Sequence, residues 1–316
     1  MSIVKKIQYN VICLFVTVSL LAGGSQTFAN TNTEVERAVQ TPLIITTIKP
    51  LAIIAKSAVG NLARVEYLQS AVQSAHEVSL PVSAMLKMEQ ADLIIWIGDG
   101  FEARIAKPMA LLPESKLIKV MDLEFLPTKA AVTDEGKEED KHKHSNFEGP
   151  HHQHNHQHLE FDPHVWLNPA NGNILANRIQ QRLGLPLLPI ISSALVEQLK
   201  NELQPLKDRN YLTHHDAFAH FVTAFDLTEG LSIRDANGAS QGARSQYKLR
   251  QKARNQTAAC IFIEPQYADK DARLIAKELQ LPLKVIDPQG FDQPLTSDGY
   301  SKFMIGMVSQ FKACFE

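Results

Sequence analysis

Twelve histidines in 316 residues are the chemically conspicuous feature of this chain. Seven of them (His142, His144, His151, His152, His154, His156 and His158) crowd into one stretch. Imidazole suits zinc, copper and nickel, so several on one tether can capture a transition metal without a preformed cage. The run is internal and interleaved with Gln and Asn, unlike an expression tag. The bland reading is a low-complexity insert with incidental affinity. Three further histidines stand where strands should end: His76 after Gln73-Ser74-Ala75, His164 in Asp162-Pro163-His164-Val165-Trp166, and His215 in His214-His215-Asp216. Taken singly, each is more often a structural residue. Read together, they suggest a three-imidazole site with one tetrahedral position left for a carboxylate or water. Such ligands must be neutral, so affinity is expected to fall as pH drops through about 6.5.

The elements that must carry these residues read as alternating strands and helices. Leu43 to Ile48 is a continuous apolar and β-branched run ending at Lys49-Pro50, typical of a strand buried on both faces. Leu51 to Val59 has helical spacing, Val65 to Leu68 is a short strand, and Pro81 to Gln90 a short helix. Ala91 to Gly98 is a strand, Phe101 to Leu112 a helix, and Leu117 to Val120 another strand. After the histidine-rich stretch, Pro169 to Asp208 is helical with breaks near Gly184, Pro186 and Pro189. A strand then runs into His214-His215-Asp216. Helices follow at Ala217 to Phe225 and Ser245 to Arg254. Strands at Ala259 to Ile263 and Leu283 to Ile286 alternate with helices at Lys270 to Leu279 and Ser297 to Phe311. This alternation predicts an α/β protein with two Rossmann-like lobes joined by a helical connector. Ligands of such sheets sit outside the carboxyl ends of the strands, so two lobes facing each other make a cleft for a metal.

The expected boundaries are a signal peptide at 1–29, an N-terminal lobe at 30–168, a connector at 169–208 and a C-terminal lobe at 209–316. Lys5 and Lys6 precede an uncharged apolar run from Val11 to Ala22, and Thr27-Phe28-Ala29 offers a cleavage site. Twelve residues span only about 18 Å as a helix, short of a bilayer core of about 30 Å. Secretion to a periplasm follows, without stable membrane insertion. The stretch 133–158 lacks an apolar period and reads as a disordered loop. Removal of Cys13 with the signal leaves Cys260 and Cys314, an even pair in an oxidising compartment, either bridged or two unrelated thiols. A formal net charge of −2 gives no argument for a nucleic-acid partner.

Several segments together resemble the zinc-specific periplasmic solute-binding proteins of bacterial ABC importers, the ZnuA type of the cluster A-I metal-binding family. They are Ile45-Thr46-Thr47-Ile48-Lys49-Pro50-Leu51, Ala91 to Gly98, the charged histidine-rich loop, and His164-Val165-Trp166-Leu167-Asn168-Pro169. The others are His215-Asp216-Ala217-Phe218, Ile263-Glu264-Pro265-Gln266-Tyr267 and Ile286-Asp287-Pro288-Gln289-Gly290. They run in family order from Ile45 nearly to the C-terminus. The resemblance implies that His76, His164 and His215 hold Zn(II) as transported cargo between two lobes. It implies a Cys260–Cys314 disulfide, a loop that marks zinc carriers, and a monomer that docks on an inner-membrane permease with its cytoplasmic ATPase. In close relatives a glutamate precedes the first ligand histidine; here that position is Ala75 and the acid follows as Glu77. The fourth ligand is therefore water, Asp287 or Glu77, in that order. Competing readings are a manganese or iron carrier, an adhesin-like or storage role, and a zinc hydrolase. The hydrolase would need Glu264 or Glu77 as general base, and no His-Glu-x-x-His helix is present.

Overall fold

The computed structural model describes residues 41–77, 80–128 and 162–316, with the side chain of Glu77 left out. The signal peptide expected at 1–29 and the seven histidines from His142 to His158 lie outside the described residues. Thr41–Glu316 form one compact unit.

The first sheet is built from β1 (Leu43–Thr46), β2 (Arg64–Tyr67), β3 (Leu93–Trp96) and β4 (Leu117–Lys119). It has the order β2-β1-β3-β4 and is parallel throughout. Every residue of β1 and β3 is buried, which is what their unbroken apolar runs require of central parallel strands. Helices α1 (Lys49–Val59), α2 (Val82–Gln90) and α3 (Ala103–Met109) connect them. Lys49-Pro50 opens α1 rather than merely ending the strand, since a proline is pre-shaped for the first helical turn.

The second sheet repeats the plan. β5 (Leu212–His215), β6 (Leu231–Arg234), β7 (Ile261–Ile263) and β8 (Leu283–Val285) lie in the order β6-β5-β7-β8, again all parallel. In each sheet the chain turns opposite ways from a central strand, β1 or β5, to its two neighbours. That is the crevice-forming point of an open α/β sheet.

The connector is two helices, α4 (Pro169–Arg182) and α5 (Ser193–Leu203). Asn168 caps α4 by accepting from Ala170 N, and Ser192 caps α5 by accepting from Leu195 N. Gly184 at φ +65° turns the chain between them. The Gln180 side chain then takes over from the lost helical bonds, pairing with both backbone groups of Leu188. α6 (Ala219–Ala224), α7 (Ala243–Asn255), α8 (Lys270–Leu279) and α9 (Gly299–Lys312) complete the fold. α1 packs on α4 and α9, and one apolar cluster runs from the first sheet through α4 to α9. Cys260, beside β7, is bonded to Cys314 just beyond α9. Among the described residues, no helix is long and apolar enough to cross a membrane.

Candidate metal site

His76 sits on a single 3₁₀ turn, Ala75–Glu77, beyond β2. Gln69 holds the approach to this turn, its Nε2 donating to Ser74 O at 2.6 Å. The His76 ring meets the Phe101 ring edge-on, with centroids 4.5 Å apart. His164 precedes the 3₁₀ turn Val165–Leu167, which leads into the Asn168 cap of α4. His215 is the last residue of β5, at the crevice of the second sheet. One histidine thus comes from each sheet and the third from the start of the connector.

The three converge. Their ring nitrogens lie within 4.8 Å of one another, and ring centroids are 5.3–5.6 Å apart. His164 Nε2 and His215 Nε2 are 3.4 Å apart. A tetrahedral zinc with Zn–N bonds of about 2.05 Å has N···N edges of about 3.3–3.4 Å. That pair is therefore already at ligand spacing.

Two carboxylates set the tautomers. Asp162 Oδ1 faces His164 Nδ1 at 2.7 Å and also accepts from His164 N. Glu264, just past β7, places Oε1 2.5 Å from His215 Nδ1. An acid on Nδ1 keeps the proton there and leaves the Nε2 lone pair free for a cation. His76 Nε2 is buried and has no hydrogen-bond partner among the described residues.

Burial also sets charge. Desolvation pushes the His76 imidazole down to about 2, helped by neighbouring His164 and His215. His164 is driven well below its ordinary value for the same reason, with His215 and His220 adding to it. Both rings are thus neutral, the state a metal requires. The onset of proton competition at these two residues accordingly moves below the value of about 6.5 expected of an exposed histidine.

Asp287 is not a member of this group. Its Oδ1 accepts from Gln266 Nε2 and Gln289 N, and its Oδ2 from Phe291 N. Glu264, named above as a general base, is engaged with His215. His214 points its Nε2 at Asp271, which also holds Arg234. His220 bonds to Asp162 O and Asn171. Asp162 escaped the sequence reading as an orienting acid. Its spacing two residues before a histidine, across a proline, was the available signal.

Two four-stranded parallel sheets, with an imidazole triad at their facing ends, define a two-lobed solute-binding protein of the α/β type. The comparisons agree. Residues 44–185 and 192–314 match the family described as zinc-uptake complex component A, periplasmic, and the chain belongs to that family. It is 28 % identical over 295 residues to the high-affinity zinc uptake system protein ZnuA of Yersinia pestis, covering 86 % of this chain and 91 % of that protein. It is 27 % identical over 289 residues to the protein of the same name from Haemophilus ducreyi, covering 86 % and 92 %. The solved structure of the periplasmic zinc binding protein TroA from Treponema pallidum superposes with a TM-score of 0.67 at 19 % identity, covering 87 % of this chain and 99 % of that one. That likeness speaks for the fold.

Proposed function

We propose that this chain is the periplasmic zinc-capturing component of an ABC importer. It binds one Zn(II) through His76, His164 and His215 and delivers it to a membrane permease served by a cytoplasmic ATPase. The observation that carries the reading is the triad itself: two Nε2 atoms at tetrahedral spacing, each Nδ1 of that pair held by a carboxylate. Family membership supports it, as do the zinc-uptake names of the relatives. Water is the fourth ligand. The stretch from His142 to His158 gathers zinc and is auxiliary to the cleft.

An all-imidazole donor set favours zinc over the hard cations manganese and magnesium, which prefer oxygen. A hydrolase would need a free base beside the metal-bound water, and Glu264 is committed to His215. The test is a chelator-competition titration of the chain from residue 30 onward. One tight zinc equivalent is expected, lost by at least about 100-fold in His164→Ala and not displaced by equimolar manganese. Retention of tight zinc by His164→Ala, or easy displacement by manganese, contradicts the reading.

A further inference from the structure

The segment that carries His76 mixes buried residues, Ala71, Ser74 and Ala75, with exposed ones. Val72 and Gln73 are exposed, and residues 70–74 form neither helix nor strand. Three side chains from the second sheet's loops reach across to it. Gln266 Nε2 donates to Ala71 O at 3.3 Å, and Gln289 Nε2 donates to Gln73 O at 3.3 Å. Ser74 Oγ donates to Tyr267 OH at 2.8 Å. Both glutamines are buried, and both are anchored by one acid. Asp287 Oδ1 accepts from Gln266 Nε2 at 2.8 Å and from Gln289 N at 3.1 Å. The two protons of the Gln266 amide thus serve Asp287 and Ala71, which leaves that amide one orientation.

The same contacts occupy Asp287. Together with Phe291 N, three donors take three of its about four acceptor sites. The Lys49 ammonium, which donates to Phe291 O, lies close enough for its charge to act on Asp287. Turning this carboxylate toward a cation would give up its bonds from Gln266 Nε2 and Gln289 N, which order the two glutamines that hold the His76 turn.

We infer that Gln266 and Gln289, ordered by Asp287, are positioning residues that clasp the His76 turn onto the site and hold Asp287 away from the metal. The clasp rests on the zinc-capture reading above and adds a specificity device to it. It favours a three-histidine cation and withholds the oxygen ligand a harder cation needs.

The test uses the zinc-loaded and cobalt-loaded chain from residue 30 onward, with release to a chelator followed by stopped flow. Gln266→Ala and Gln289→Ala should each release zinc about fivefold faster, and the double variant about 25-fold faster, as expected for ordinary hydrogen bonds. Manganese affinity should move the other way, rising about tenfold in the double variant as Asp287 becomes available. A merely structural role would weaken both metals together. Asp287→Asn should keep the cobalt(II) absorption bands of wild type, because the acid is not a ligand, while releasing metal faster. If Gln266→Ala does not fold, Gln289→Ala carries the test, since among the described residues its side chain bonds only Gln73. A shifted cobalt spectrum in Asp287→Asn, or wild-type zinc release by the double variant, overturns the inference alone. A wild-type chain that takes up no zinc overturns the zinc-capture reading and this inference with it.

Discussion

Glu264→Gln should separate affinity from stability. In the wild type, Glu264 Oε1 accepts from His215 Nδ1 at 2.5 Å inside the core, where Glu264 is only 3 % exposed. Its second oxygen, Oε2, is buried without a hydrogen-bond partner among the described residues. A charge-assisted bond of this kind contributes about 1.5–3 kcal/mol, and loss of a metal ligand's outer partner typically lowers affinity about 10–100-fold. Glutamine keeps an oxygen on Nδ1 but removes the charge, so the zinc Kd should rise about tenfold, and about 100-fold in Glu264→Ala. The metal-free protein should respond much less. An orphaned carboxylate oxygen costs about 1–3 kcal/mol, and a buried amide costs less to desolvate than a buried carboxylate. The weaker bond to His215 and the lower desolvation cost offset each other, so metal-free Glu264→Gln should melt close to the wild-type temperature. The assays are chelator competition for zinc and thermal unfolding in chelator. Unchanged zinc affinity with a lowered melting temperature would show Glu264 to be a structural acid, and the orienting role would fail.

Three further outcomes follow from the same geometry. Burial raises Glu102 to about 7 while its Oε2 accepts from Ile97 N and Gly98 N. Its folded value exceeds the unfolded one, so its stabilisation is full below about 4.5 and is lost as pH rises through about 7, a change of about 3 kcal/mol. Glu102→Gln should lack that loss, gaining about 3 kcal/mol on wild type between about pH 4 and about pH 8 in urea unfolding; parallel curves would contradict it. Reduction of Cys260–Cys314, which are 54 residues apart, should cost about 4 kcal/mol in the chain-entropy account and leave zinc affinity unchanged. An unchanged melting temperature under reductant would count against that. A Cβ at Gly172 would collide with the Tyr300 ring and hydroxyl, whose proton is shared between Trp166 O and Asn168 O, in the turn that follows His164. Gly172→Ala should destabilise by about 1–3 kcal/mol and weaken zinc binding; a wild-type urea midpoint would show that α4 moves aside.

The α/β class was legible because β1 and β3 are central strands, buried on both faces, whose apolar runs have no other explanation. The breaks at Gly184, Pro186 and Pro189 marked where the connector divides into α4 and α5. β6 was not anticipated. It is a four-residue edge strand, Leu-Ser-Ile-Arg, in which only Ile233 is fully buried, so its alternation is too short to stand out. The three converging histidines were legible by type and by position at element ends. Their partners were not. Asp162 lies two residues from the histidine it serves, and Glu264 lies 49 residues from His215, joined to it only by the pairing of β5 with β7. The displacement of proton competition below that of an exposed histidine also needed the structure, because it comes from burial, which spacing does not report.

The central claim is that the cleft is the transport site and the histidine-rich stretch is auxiliary. The most direct measurement is a zinc titration of three chains: wild type, a deletion of 135–158, and the double variant His76→Ala/His215→Ala. The account predicts that the deletion keeps one tight zinc and the double variant loses it. If the deletion abolishes tight binding while the double variant retains it, the histidine-rich stretch is the main site and the three-histidine cleft is not the carrier.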